Sequence, residues 1–215
     1  DWKIGDNEGS QPIHNAAVAG HTGVIELLLD KGADINAQDN NGETALLFAL
    51  SYGKFETAGR LLDRGADVKL SNVRGATPLH HAASRGNTEF CRRMIAMGAD
   101  INAAMRDGVT PLHAAAMSGN LESARLLLEK GAGTEARNSY QRTPLLLVAR
   151  ERGDAAMAAL LLDHGANANA EDRFGDTPLS LAAWRGFRAL IDLLLERGAA
   201  LPATPEKRRE VASYC

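Results

Sequence analysis

Seventeen of the chain's 21 glycines fall on three ladders of nearly constant step. The first runs through positions 9, 42, 75, 108 and 175, the second through 20, 53, 86, 119, 153 and 186, and the third through 32, 65, 98, 131, 165 and 198. The step is 33 residues except near the fifth unit, where it becomes 34 and Gln141 stands in the first ladder in place of glycine. One supersecondary unit is therefore written six times. A period in this range belongs to stacked arrays, in which each unit buries its apolar surface against its neighbours rather than around one central core.

Composition fits a chain able to bury such a core, with 45% hydrophobic and 24% charged residues, against the low-hydrophobicity, high-charge pattern of disorder. No low-complexity stretch divides it, so 1–215 is expected to be a single elongated domain, with units at 6–38, 39–71, 72–104, 105–137, 138–171 and 172–201 and a cap or tail over 202–215. No apolar run approaches the roughly 18 residues of a membrane span, and no signal-peptide pattern stands at the N-terminus.

The fourth unit shows the local chemistry most fully. Gly108-Val109-Thr110-Pro111-Leu112-His113-Ala114-Ala115-Ala116 leads to Gly119, then to Leu126-Leu127-Leu128 and Gly131-Ala132. Proline just inside a helix start carries no N–H that would need a partner, and Thr110 can cap the helix that Pro111 begins. The alanines keep the first helix thin, the leucines supply burial on the second, and the glycines end both helices at positive φ.

The pattern GxTPLHxAAxxG followed by LLLxxGA resembles the ankyrin repeat over residues 7 to about 201. It recurs at Gly75-Ala76-Thr77-Pro78-Leu79-His80, Thr143-Pro144-Leu145 and Thr177-Pro178-Leu179. Unit one has Gln11 in place of threonine before Pro12-Ile13-His14, and unit two reads Thr44-Ala45-Leu46-Leu47, departures expected to weaken capping. The resemblance implies an all-α solenoid of helix-turn-helix units with β-hairpin-like fingers, and a concave face made of finger tips and first helices. It also implies that His14, His80 and His113 hydrogen-bond to threonine and neighbouring backbone.

In the fifth unit, ten residues separate Thr143 from Gly153, where units three, four and six have nine. The extra residue, within Arg150-Glu151-Arg152, is expected to lengthen or bulge the first helix at its C-terminus. One functional consequence would be to push Arg150 and Arg152 into the groove.

Catalysis finds no support: HExxH, GxSxG, P-loop, paired CxxC and EF-hand spacings are all missing. His21 reads as a helix-start residue, and His80 and His81, being adjacent, point about 100° apart and cannot chelate one ion together. No metal, cofactor or enzymatic activity is expected. Cys91 aligns with apolar positions of the second helix and reads as core; Cys215 in the tail should lie roughly 30 Å away if units advance about 10 Å each, too far for a disulfide. The lack of sequons and of a disulfide framework favours a cytoplasmic location, although a periplasmic or secreted chain would look the same.

By the resemblance, partner contacts fall on the two residues before the first glycine, the one after it, and the two before the middle glycine. In units one and two these positions are neutral to acidic, with Glu8 and Glu43, although Tyr52 is among them. In units three to six they bring Arg74, Arg85, Arg106, Met117, Tyr140, Arg142, Arg150, Arg152, Arg173, Phe174, Trp184 and Arg185. With Arg152 and Glu151 included, this face carries eight arginines against three acids on a chain of net charge −3. Arginine with large aromatics is the composition of interface hot spots.

The expected function is a monomeric, non-enzymatic module that binds an acidic segment of another protein. One alternative is a recruiting or regulatory part of a larger enzyme or channel. Another is a binder of an anionic ligand such as a phosphoinositide, while net acidity argues against nonspecific nucleic-acid binding.

Overall fold

The computed structural model describes residues 5–201 and 208–209. Twelve helices of seven to nine residues follow one another: α1 (Pro12–Ala19), α2 (Thr22–Asp30), α3 (Ala45–Ser51), α4 (Phe55–Asp63), α5 (Pro78–Ser84), α6 (Thr88–Ala96), α7 (Pro111–Ser118), α8 (Leu121–Glu129), α9 (Pro144–Glu151), α10 (Ala155–Asp163), α11 (Pro178–Arg185) and α12 (Arg188–Glu196). Odd-numbered helices stack in one row and even-numbered helices in another. Isolated helices this short are marginal in water, so each exists because its neighbours cover it.

All seventeen ladder glycines have positive φ, and Gln141, at φ 59°, is the one non-glycine among the described residues that does. The sequence period and the backbone period are thus the same object. Gly108 shows why a second constraint operates at the finger tips: a Cβ there would come within 2.5 Å of the Arg137 carbonyl oxygen.

Capping starts the odd-numbered helices. The hydroxyl of Thr44 accepts from the Leu47 N–H at 3.2 Å, that of Thr110 from His113 at 3.4 Å, and that of Thr177 from Ser180 at 3.2 Å. Unit two therefore keeps its threonine cap but has Ala45 and Leu47 in place of the proline and the histidine, while in unit one His14 Nδ1 accepts from the Gln11 N–H at 2.9 Å. Each cap contributes about 1 kcal/mol.

The histidines act as the resemblance implies. His80 Nδ1 accepts from the Thr77 backbone N–H at 3.1 Å and lies 2.8 Å from the Thr77 hydroxyl. Its proton is therefore on Nε2, which donates to the Val109 carbonyl of the next finger at 3.1 Å. His113 makes the same bridge to Arg142 O at 3.1 Å, and His14 to Ala37 O at 2.8 Å. Each such histidine ties a helix start to the following loop.

Small and large side chains divide the packing. Ala49, Ala82, Ala83, Ala115, Ala116, Ala149, Ala182 and Ala183 are buried on the odd row, while Ile25, Leu61, Met94, Leu127, Leu161, Ile191 and Leu194 fill the even row. Cys91 lies with them, fully buried, and burial pushes its thiol pKa up to about 11. Alanines at helix contacts allow close approach, and the resemblance implies that the odd-numbered row is the inner one. His21 is the N-cap residue of α2.

The fingers contain no strand among the described residues. One backbone bond joins each finger to the next: Asn40 N–H to Glu8 O at 2.9 Å, Val73 to Asn41 at 2.8 Å, Arg106 to Arg74 at 2.8 Å, Ser139 to Asp107 at 2.6 Å and Arg173 to Tyr140 at 3.1 Å. At the base of a finger an Asp or Asn oxygen closes the turn, as where Asn72 Oδ1 accepts from the N–H groups of Arg74 and Ala76, each at 3.0 Å.

The fifth unit corrects one expectation. Helix α9 has eight residues, as α7 and α11 do, so the first helix is not lengthened. Arg152 occupies the position of Gly119 with φ −123°, and the extra residue is Gly153 itself, at φ 63°. Both N–H groups converge on the Val148 carbonyl, at 3.2 and 2.9 Å. The turn absorbs the residue because a helix of this length cannot rotate without unburying Leu145, Leu146 and Val148, all fully buried. The expected cap or tail over 202–215, Cys215 included, lies outside the described residues except for 208–209.

Candidate partner-binding face

Residues from the fingers and from the ends of the odd-numbered helices meet on one face. A cavity of about 300 Å³ is lined by Arg74, Asp107 and Val109 from fingers and by His81, Ser84 and Met117 from α5 and α7. Next to it, about 350 Å³ is enclosed by Glu8, Asp39, Glu43, Phe48, Val73 and Arg74. The two share Arg74, so the groove changes from acidic to mixed and apolar across the third finger.

Twelve of the thirteen side chains expected at the contact face reach solvent to some degree. Tyr52, Met117, Tyr140, Phe174 and Trp184 are 57, 44, 44, 57 and 58% exposed, and Arg74, Arg85, Arg106, Arg152, Arg173 and Arg185 are exposed as well. Arg150 is half-buried. Val73, 44% exposed at the tip of the third finger, belongs to the same row. It stands immediately before Arg74, so the positional rule that found Arg74 could have found it.

Arg142 is the exception. Only 7% exposed, it places Nε 2.9 Å from Asp172 Oδ2. The position after the first glycine is a joint between units rather than a free surface: Glu43, at the same place in unit two, accepts from Asn72 Nδ2 of unit three at 2.7 Å. Burial pushes the Glu43 carboxyl pKa up, against the lowering effect of that hydrogen bond, and Oε2 is left buried without a partner.

The arginines divide into engaged and unengaged groups. Arg150 Nε pairs with its neighbour Glu151 at 3.0 Å, and Arg85 donates to the Ser51 carbonyl. Arg152 lies back over the turn of unit four, where a Cβ on Gly119 would meet its guanidinium at 2.7 Å. Arg150 and Arg152 thus rest against side chains and backbone of their own stack. Arg74, Arg106, Arg152, Arg173 and Arg185 have no carboxylate within ion-pair distance among the described residues.

Aromatic rings organise two of them. The Arg173 guanidinium carbon is 4.3 Å from the Tyr140 ring centre and 4.7 Å from that of Phe174, while Arg142 lies 5.1 and 5.8 Å from the same rings. Arg185 is 5.7 Å from Trp184 and 5.5 Å from Phe187. Phe187, which sequence reasoning passed over, closes on the Gly153 turn.

His81 was also passed over as anything but a non-chelating neighbour of His80. It lines the 300 Å³ cavity, with Nε2 buried and unpaired. Burial first, then the charges of His80, Arg74 and Arg85, lower its pKa to about 4. Among the described residues no three His, Cys, Asp or Glu side chains are grouped to hold a metal ion, and no helix is long and apolar enough to cross a membrane.

Stacked helix pairs, glycine-ended turns and bridging histidines define a helical repeat solenoid of the binding type. The family model for ankyrin repeats in three copies matches residues 1–72, 60–138 and 131–204, and the chain belongs to the ankyrin repeat family. Two of the solved structures that share its fold illustrate the likeness. The human ASB11 ankyrin repeat domain superposes with TM-score 0.82 at 28% identity, covering 93% of this chain and 88% of that one. An ankyrin repeat domain from Acinetobacter baumannii AYE gives 0.78 at 33% identity, covering 88% and 98%. Sequence relatives match over shorter stretches. A probable E3 ubiquitin-protein ligase of Oryza sativa subsp. japonica, XBOS33, is 45% identical over 47 residues, 22% of this chain and 9% of the relative. An ankyrin repeat-containing protein of Schizosaccharomyces pombe is 44% identical over 41 residues, 19% of this chain and 20% of that protein. The matched stretch thus spans about a tenth of the ligase and a fifth of the yeast protein.

Proposed function

We propose that the finger and inner-helix face of repeats three to six binds an acidic segment of a partner protein. The observation that carries this reading is the distribution of exposed large apolar side chains. Of eleven among the described residues, five, Val73, Met117, Tyr140, Phe174 and Trp184, lie on fingers or at the ends of odd-numbered helices of repeats three to six, and Tyr52 caps α3 in the adjoining repeat two. Stacking does not require them there, since Tyr52 and Trp184 stand where other units place Ala19, Arg85 and Ser118.

Between these side chains stand arginines with no carboxylate of their own. Aromatic burial would supply affinity, and guanidinium pairing would supply register along the partner. In a longer protein the same face would recruit a substrate or regulator to a second domain.

The test is capture of partners by the wild type and by a Trp184→Ala, Arg106→Glu, Arg185→Glu variant whose helicity is first verified by circular dichroism. Loss of the specifically retained proteins is the expected result. Equal retention by the variant would place the contact elsewhere, and stronger loss on reversing Glu8 and Glu43 would move it to repeats one and two.

A further inference from the structure

We infer that the acidic segment is anchored at the junction of fingers five and six, where Arg173 receives a single Asp or Glu carboxylate of the partner. This rests on the proposed function and narrows it to one subsite and one anion class.

The ring distances of 4.3 and 4.7 Å fit contact through the guanidinium face. Such contact leaves the in-plane N–H groups pointing away from the rings, and a planar carboxylate accepts two of them side by side. A lysine in this place would keep the charge but neither the stacking nor the fork.

The finger is also braced before any partner arrives. The Arg173 N–H donates to Tyr140 O at 3.1 Å, the Phe174 N–H donates to Asp172 Oδ1 at 2.9 Å, and Asp172 Oδ2 accepts from Arg142 at 2.9 Å. The backbones of Arg173 and Phe174 are therefore fixed, and the guanidinium already rests against two rings, so less freedom is lost when it is engaged than for an arginine without such contacts. Among the other arginines of the face, Arg142 is neutralised by Asp172 and Arg150 by Glu151, and Arg85 is engaged by a backbone carbonyl; Arg185 at the end of α11 also lies unpaired beside two rings, but at 5.7 and 5.5 Å, farther than the 4.3 and 4.7 Å of Arg173.

Charge decides between a carboxylate and a phosphate. Beneath Arg173 the Arg142–Asp172 pair sums to zero, so the subsite offers one net positive charge. Arg137 at the base of finger five also lacks a carboxylate, but its Nη1 is taken up by the Gln141 and Glu171 carbonyls at 3.1 and 2.8 Å, and the next finger arginine, Arg106, is two fingers away, roughly 20 Å at the usual helix-pair spacing. A phosphate dianion would be left half compensated, whereas a carboxylate is matched.

The test uses a random dodecapeptide library displayed on phage, selected on the whole chain, followed by calorimetric affinities of synthetic copies of the winners. The expected winners carry an Asp or Glu beside an apolar residue. Changing that acid to Asn or Gln should weaken binding about tenfold, as should Arg173→Lys and Arg173→Gln, while Arg106→Gln should change it less than about threefold. If acid-dependent binding survives Arg173→Lys and Arg173→Gln unchanged, the anchor is wrong while the acidic-partner reading stands. If a phosphoserine copy binds more tightly than the Glu copy and depends on Arg173, the anion class is wrong. If winners show no acid dependence at all, both the anchor and the acidic reading fall.

Discussion

Arg142 of repeat five and Asp172 of repeat six form an ion pair of 2.9 Å whose side chains are 8% and 0% exposed. Asp172 also accepts from the N–H groups of Phe174 and Asp176, at 2.9 and 3.1 Å, so one carboxylate closes its own finger and clasps the previous repeat. Removing one partner of a buried pair leaves the other charged and unsolvated, which costs about 3–5 kcal/mol. Arg142→Ala should therefore lower the urea midpoint strongly. Arg142→Met with Asp172→Asn should cost much less, because Asn72 shows that an amide oxygen closes the equivalent turn. A loss below about 1 kcal/mol in the single variant would show that the pair is not a structural joint.

How far the sequence could be read follows from the range over which each feature acts. Glycine positions, Thr-Pro helix starts and the Leu-Leu-Leu runs act within one repeat, and recurrence makes them stand out, the two later glycines in all six repeats and the Thr-Pro starts and second-helix Leu-Leu-Leu runs in four each. The role of Arg142 depends on a residue 30 positions away, across the one place where the period slips. Its counterparts Ser10, Glu43, Ala76, Val109 and Asp176 share no chemistry that would mark a joint. The extra residue was visible, but not that the turn would take it rather than α9. His81 gave only a doubled letter, and its orphaned nitrogen is a property of the groove between two repeats.

Gln141 adopts φ 59° at a ladder position where four earlier repeats and the sixth have glycine. Left-handed backbone costs a residue with Cβ about 1–2 kcal/mol, while glycine adds unfolded-state freedom worth about 0.4–1 kcal/mol. Gln141→Gly should therefore stabilise the chain, by about 0.5–1 kcal/mol in denaturant titration. Gln141→Val, whose branched Cβ tolerates this conformation worst, should destabilise it. Destabilisation by the glycine would mean that the Gln141 side chain makes a contact worth more than the strain it carries.

Gly108 and Gly131 both have positive φ, at 79° and 93°, but only one is crowded. A Cβ at Gly108 would stand 2.5 Å from Arg137 O and 2.8 Å from Asn138 Cα, whereas at Gly131 nothing lies within 4 Å. Gly131→Ala should incur the dihedral strain alone, about 1 kcal/mol. Gly108→Ala must also push the adjoining fingers apart and stretch the bond from Ser139 N–H to Asp107 O, adding at least about 1 kcal/mol. Hydrogen exchange reports the difference directly: the Ser139 amide should lose protection in Gly108→Ala and keep it in Gly131→Ala.

Stability should fall as the solution is acidified from about pH 7 to about pH 5. Burial lowers the pKa of His80 and His113, and of His81 to about 4, so between the folded and unfolded values the unfolded chain binds more protons. The neutral histidines therefore contribute fully above the unfolded value of about 6.5, and their contribution is lost as pH drops toward the folded value. For His81 alone this amounts to about 2 kcal/mol at pH 5. Glu43 works in the opposite sense, because its pKa is raised in the fold and its contribution is lost as pH rises. It offsets part of the histidine effect at the acid end of the range. Urea midpoints at pH 7, 6 and 5 for the wild type and for His81→Gln isolate the share of His81, which sits in the groove with its Nε2 unpaired. The variant should show the shallower dependence; equal slopes would mean that His81 is hydrated or paired in solution and titrates near its ordinary value.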